Sequence, residues 1–213
     1  MSLDPLIRTV LERTKGFMPD DEGAALAANA RRAWSQHPGA PIIEVGTYCA
    51  RSTLWLASVA VECDGTVITV DHHRGSEETQ PGWEHHDPEV IDDRIGRMDT
   101  LPFARAALFD AGVEDHVIVI VGQSARVAAA WSTPAAMVFI DGGHGEEPAT
   151  ADRIGWVPHV APGGLLAIHD VFSDPADGGR PPYECIYLPV LASGEFDEVD
   201  AVGSLRVLQR RVR

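Results

Sequence analysis

Five short runs of aliphatic and β-branched residues recur through the middle of the chain: "APIIEVG", "GTVITVD", "HVIVIVG", "AAMVFID" and "GGLLAIHD". Each is short, rich in valine and isoleucine, and stops at a glycine or a carboxylate, as a buried strand does. Between them lie stretches with helical apolar spacing, at residues 51–61, 101–111, 124–131 and 146–157. Parallel strands need long crossovers, usually helices, so this alternation predicts a doubly wound α/β fold with a mostly parallel sheet.

The flanks add detail to that plan. Residues 3–15 and 21–36 have helical spacing, and "FMPDDEG" between them supplies a proline and acidic capping chemistry for the second helix. The tail "FDEVDAVGSLRVLQRR" reads instead as two short strands joined at Gly203-Ser204, an antiparallel hairpin at the edge of the parallel sheet. A polar insert, residues 72–100, interrupts the alternation and is long enough to serve as a lid or acceptor loop. With no repeat and no linker, residues 1–213 are expected to form a single domain.

Charge narrows the partners. The chain has 32 acidic and 17 basic residues, a net charge of −15, which disfavours nucleic acid and anionic membrane surfaces. No run approaches the ~20 apolar residues of a membrane span, and the N-terminus lacks the apolar core of a signal peptide. Cys49, Cys63 and Cys185 are too few and too scattered for a disulfide framework. A cytoplasmic location is the expectation.

Ligands of open α/β sheets sit beyond the carboxyl ends of the strands, so the residues following each run are the candidates. They are Glu44 and Gly46, then Asp71 and His72, then Gln123 and Ser124, then Asp141 and His144, and finally His169 and Asp170. Gly46 permits a tight turn and close approach of a ligand, and Ser52 and Thr53 open the next helix with hydroxyl groups. Asp71 is placed to accept hydrogen bonds from ribose hydroxyls. A dinucleotide would want further glycines where Tyr48 and Cys49 or Ala50 stand, so a nucleoside without pyrophosphate fits better.

The segments "EVGTYCARSTLWLA", "VITVD", "VGQSA" and "FIDGGHGEE" with the later "GGLLAIHDVF" resemble the class I S-adenosylmethionine-dependent methyltransferases. More narrowly they are similar to the branch of antibiotic-sugar and mycobacterial sugar O-methyltransferases. The resemblance implies a Rossmann-like, seven-stranded sheet with a reversed last strand. It also implies a donor site built from Glu44, Gly46, Tyr48, Ser52, Asp71 and His72, with Gln123 and Ser124 near the adenine. Ala50 stands where many relatives have glycine, which tightens the loop.

In the macrolide-sugar relatives, carboxylates at the places of Asp141 and Asp170 hold magnesium, and the histidine of the D-x-x-H pattern, here His144, is the base. The chemistry is reasonable, because a sugar hydroxyl is scarcely ionised at neutral pH. A cation can lower its pKa and an imidazole can accept its proton. The glycines of "FIDGGHGEE" allow the turn that aims Asp141 and His144 at one spot. His169 replaces the relatives' glutamate, which leaves manganese as an alternative to magnesium, or His169 as a group behind the ligands. Capping of strand-to-helix turns is the competing role for Asp141 and Asp170, and an exposed loop position the competing one for His144.

For the acceptor, Trp83, Glu77 and Glu78 in the insert offer stacking and hydrogen bonding to a sugar. Arg180 and Tyr183, in a second loop "FSDPADGGRPPYE", are placed to touch the acceptor or the partner subunit of a homodimer. His72, His73, His85 and His86 come as adjacent pairs, a poor match to zinc spacing. The expected reaction is methyl transfer to a carbohydrate hydroxyl, a mannoside 1-OH on the narrower resemblance. Natural-product or catechol-like hydroxyls are the alternative acceptors. A metal-dependent hydrolase or hydroxylase, or a non-catalytic ligand-binding module, are the alternatives of another class.

Overall fold

In the computed structural model, residues 3–76, 82, 86–143 and 145–212 are described. A seven-stranded sheet runs through the molecule, built from β1 (Ile42–Val45), β2 (Val67–Asp71), β5 (Val117–Val121), β6 (Ala135–Ile140), β7 (Val160–Ile168), β8 (Phe196–Val202) and β9 (Leu205–Arg210). The two short strands β3 (Ile91–Asp92) and β4 (Arg97–Met98) form a separate small hairpin within the insert.

The strand order is β5-β2-β1-β6-β7-β9-β8. The first five in that order pair in parallel, and β9 runs antiparallel to both β7 and β8. The expected Rossmann-like sheet with its reversed C-terminal hairpin is the fold observed. The order reverses direction at β1, so the crevice between β1 and β6 is the topological switch point.

The period of two along each strand divides the core cleanly. Ile42, Val67, Met137, Phe139, Leu165 and Ala167 face one layer, with α1 (Pro5–Arg13), α2 (Asp20–Gln36), α3 (Arg51–Cys63) and α4 (Leu101–Asp110). Ile43, Val45, Val70, Val138, Ile140, Leu166 and Ile168 face the other, with α5 (Ser124–Ala129), α6 (Glu146–Trp156) and α7 (Leu188–Ala192). Side chains just beyond the strand ends inherit these faces. Asp141 shares the parity of Phe139 and His169 that of Ala167, so both lean toward the α2 layer.

Two expectations need correction. The run "HVIVIVG" was expected to be buried, but β5 is the outer strand of the sheet, and Ile118 and Val121 are exposed. Apolarity alone does not distinguish an edge strand from a central one. The loop expected through residue 184 ends earlier: a π-helical turn, Pro182–Tyr187, leads directly into α7. Pro182 sits in the first turn, where its missing N–H leaves nothing unsatisfied, so proline starts this helix rather than preventing it.

Candidate active site

The ladder continues one residue past the strands. Gly46 N–H donates to Val70 O (3.0 Å), Asp141 N–H to Val45 O (2.8 Å), His169 N–H to Ile140 O (3.1 Å) and Gly122 N–H to Asp71 O (3.0 Å). Glu44, Gly46, Asp71, Gln123, Asp141, His169 and Asp170 are thereby brought to one edge of the sheet. Gly46 has φ +97°, and a Cβ there would lie 2.0 Å from the Asp141 carbonyl oxygen. The turn after β1 therefore needs glycine for its torsion and for its contact with the turn after β6.

Asp71 braces that turn. Its Oδ2 accepts from the backbone N–H groups of Thr47 (3.0 Å) and Tyr48 (2.8 Å), and its Oδ1 from that of His73 (2.7 Å). A carboxylate offers about four lone-pair sites, so three N–H donors leave acceptor capacity for a ligand hydroxyl. Tyr48 (φ 47°) and Ala50 (φ 74°) both adopt left-handed backbone. For Ala50 this is the strain a glycine would have avoided, and the side chain is fully buried.

Glu44 is fully buried, and its two oxygens accept from Ser52 Oγ (2.7 Å) and Thr53 Oγ1 (2.6 Å) on the first turn of α3. Burial pushes its carboxyl up to about 7, against the hydrogen bonds from Thr53, Thr69 and Ser52 that pull it down. Glu44 and Ser52 thus hold each other and fix where α3 begins. Thr47 and Thr69 join their hydroxyls in a short hydrogen bond beside them.

On the adenine side the placements are mixed. Gln123 is exposed at the end of β5, and His72 is exposed with its Nδ1 accepting from Arg74 N–H (3.0 Å). Ser124 is turned toward α6, where it donates to Asp152 Oδ1 (2.5 Å) and accepts from Trp156 Nε1 (2.6 Å). Asp152 is buried, which raises its carboxyl to about 6 despite the Ser124 hydroxyl. His73 is also buried and bonds Thr100 Oγ1 through Nδ1 (2.8 Å).

The second half of the crevice is charged. Asp141, His169 and Asp170 each present a ligand atom, all within 4.8 Å of one another. His169 Nδ1 lies 3.0 Å from Asp141 Oδ1 and 3.5 Å from Asp170 Oδ1. Asp170 is in left-handed backbone (φ 54°), a conformation uncommon for a residue with a Cβ and one that aims this carboxylate beside the imidazole. Two carboxylates and an imidazole are a chemically sound donor set for a divalent cation.

On its far side His169 Nε2 lies 2.5 Å from Oε2 of Glu22, in the first turn of α2. Burial lowers the imidazole's pKa, but the Asp141 charge and the hydrogen bonds that Asp141, Asp170 and Glu22 accept from the ring outweigh it and raise it to about 12. Glu22 was not among the sequence candidates. The available signal was its position on the buried stripe Glu22, Leu26, Asn29, Ala30, Ala33, where a carboxylate has no reason to sit unless it meets a partner.

His144, Glu77, Glu78, Trp83 and His85 fall outside the described residues. Arg180 donates through Nε to Glu184 Oε1 (3.0 Å) and through Nη1 to Phe172 O (3.2 Å) and Ser173 O, and its guanidinium lies 4.6 Å over the Tyr183 ring. It is thus the clasp of its own loop. A hollow of about 470 Å³ lies on the outer face of α4, lined by Leu101, Arg105, Phe109 and Glu114, and none of the strand-end groups reaches it. No described helix is long and apolar enough to cross a membrane.

Fold and site together define an open α/β protein with polar strand ends gathered at its switch point. The chain belongs to the methyltransferase-domain family, whose model it matches over residues 43–171. Among solved structures it is similar to a cofactor-bound protein from MTB, at 20% identity and TM-score 0.67, covering 99% of this chain and 91% of that one. It is also similar to the O-methyltransferase from Bacillus cereus in complex with SAH, at 16% identity and TM-score 0.67, covering 99% and 93%. A third similar structure is the O-methyltransferase TomG of Streptomyces achromogenes, involved in tomaymycin synthesis and bound to SAM, at 17% identity and TM-score 0.63, covering 99% and 91%.

Proposed function

We propose that the protein is an S-adenosylmethionine-dependent O-methyltransferase that uses a divalent cation to methylate a carbohydrate hydroxyl, with a mannoside 1-OH as the leading acceptor. The observation that carries this reading is the division of one crevice into two halves. A glycine turn braced by Asp71 lies on the β1–β2 side, and the Asp141, His169 and Asp170 donor set lies on the β6–β7 side.

The first half suits a nucleoside. Gly46 allows the tight turn after β1, and Asp71 keeps acceptor capacity for a ribose hydroxyl while holding that turn. Tyr48 flanks the same turn. The second half suits the acceptor. A cation held by Asp141, His169 and Asp170 would lower the pKa of a bound hydroxyl. Asp141 and Asp170 would fix where the acceptor oxygen sits, and His144, three residues after Asp141 in the sequence, would accept its proton. S-adenosylmethionine, when bound, would supply an electrophilic methyl group to that oxygen, with its sulfur as the leaving group. Asp141 joins the halves, because its carbonyl packs against Gly46 and its carboxylate faces His169.

A natural-product hydroxyl is the second reading, supported by the likeness to TomG, involved in tomaymycin synthesis. The test is methyl transfer from labelled S-adenosylmethionine across a panel of mannosides, other glycosides, catechols and phenolic natural products. Transfer to a mannoside, with the label on its 1-oxygen, is the expected result. Selective transfer to catechols or phenols would replace the carbohydrate assignment, and donor binding with no transfer to any hydroxyl would count against the whole reading.

A further inference from the structure

Glu22 belongs to a helix outside the region shared with the family model, yet its carboxylate is buried against the strand-end cluster. Three contacts hold it there. Its Oε1 accepts from Ser204 N–H (2.6 Å), its Oε2 from Ser204 Oγ (3.2 Å), and Oε2 also lies 2.5 Å from His169 Nε2. Ser204 follows Gly203, at the turn of the β8–β9 hairpin. A Cβ on Gly203 (φ +53°) would lie 2.0 Å from Glu22 Oε1, so the turn approaches this carboxylate as only glycine allows. The reversed hairpin and α2 thus clamp Glu22, and Glu22 fixes the imidazole.

The imidazole then has a determined orientation. A carboxylate at Nε2 accepts the Nε2–H hydrogen bond, which leaves Nδ1 as the nitrogen facing Asp141 and Asp170. A carboxylate behind a histidine is the arrangement by which proteins orient a metal-binding imidazole and raise its basicity. Imidazole nitrogen favours first-row transition ions, whereas magnesium prefers oxygen donors and retains its waters.

Building on the divalent-cation reading above, we infer that Glu22 is a positioning residue that directs His169 Nδ1 onto the cation shared with Asp141 and Asp170, so that the site prefers manganese or cobalt to magnesium. Glu22 engages Nε2, and Nδ1 is the ring nitrogen turned toward Asp141 and Asp170. His169 is then an inner ligand, and Glu22 acts only through it.

The test uses the intact chain with Mn2+ as probe, in competition with Mg2+. Pulsed electron paramagnetic resonance on 15N-histidine-labelled protein should show coupling to one directly bound imidazole nitrogen, absent in His169→Asp. Glu22→Gln should weaken Mn2+ binding by about 10–100-fold, the usual effect of removing a group behind a metal-bound histidine. His169→Asp should move the preference toward Mg2+. Unchanged binding of S-adenosylhomocysteine by both variants establishes that they are folded. Bound Mn2+ without nitrogen coupling, or Glu22→Gln within a few-fold of the parent, overturns the inference and leaves the cation reading intact. No cation bound by the parent overturns both.

Discussion

Replacing Glu44 by glutamine tests how the buried floor of the crevice is organised. Burial raises the Glu44 carboxyl from its ordinary 4.5 to about 7 in the folded chain. A raised folded-state value means that the native protein binds this proton more tightly than the unfolded chain does. The corresponding stability is fully present below about pH 4.5 and is lost as the pH rises through about 7. The interval from 4.5 to about 7, at 1.36 kcal/mol per pH unit, makes about 3 kcal/mol in all. About 2 kcal/mol of that is lost between roughly pH 5.5 and 8.5. Glutamine mimics the neutral carboxyl in shape and can still bond Ser52 and Thr53, but it does not titrate. Urea denaturation of parent and Glu44→Gln at both pH values isolates this effect, since the other groups cancel in the difference. The variant should gain about 2 kcal/mol on the parent as the pH is raised. A difference independent of pH would show that Glu44 does not change protonation in the native state across this range, and would refute the reasoning.

Gly46→Ala should abolish donor binding, because its Cβ would meet the Asp141 carbonyl and its φ is unfavourable for alanine; micromolar binding of S-adenosylhomocysteine by this variant would argue against the turn as the donor cradle. Asp71→Ala should weaken donor binding by about 1.5–3 kcal/mol, the worth of hydrogen bonds to a charged acceptor, and calorimetry showing unchanged affinity would remove the ribose assignment. His144→Ala should slow single-turnover methyl transfer about 100-fold or more at saturating donor and acceptor, with donor affinity unaltered; a rate within a few-fold of the parent would assign the proton to another group.

The parallel sheet was legible because each strand is apolar on both faces and each helix between them has its own period. The polar strand ends were legible for a related reason. Asp71, Asp141 and Asp170 stop apolar runs, and the fold class places such stops on one edge of the sheet. Partners distant in sequence were not legible. Glu22 and His169 are 147 residues apart, and no local pattern pairs them. Ser124 was expected to lie near the adenine, and its hydroxyl is engaged by Asp152, four residues before Trp156 on the neighbouring helix α6. The edge position of β5 was hidden because its sequence is as apolar as that of the central strands. The helical turn at Pro182 was hidden because prolines in a glycine-rich context read as loop, although proline is favoured where a helix starts.

The central claim is that one crevice holds a methyl donor on its β1–β2 side and activates a hydroxyl on its β6–β7 side. Single-turnover methyl transfer, measured with donor binding before and after exhaustive chelation, tests it most directly. Transfer to the acceptor should stop when the cation is removed and return when Mn2+ is added back, while S-adenosylhomocysteine affinity stays within a few-fold throughout. Full transfer by protein shown by elemental analysis to be metal-free would contradict the account.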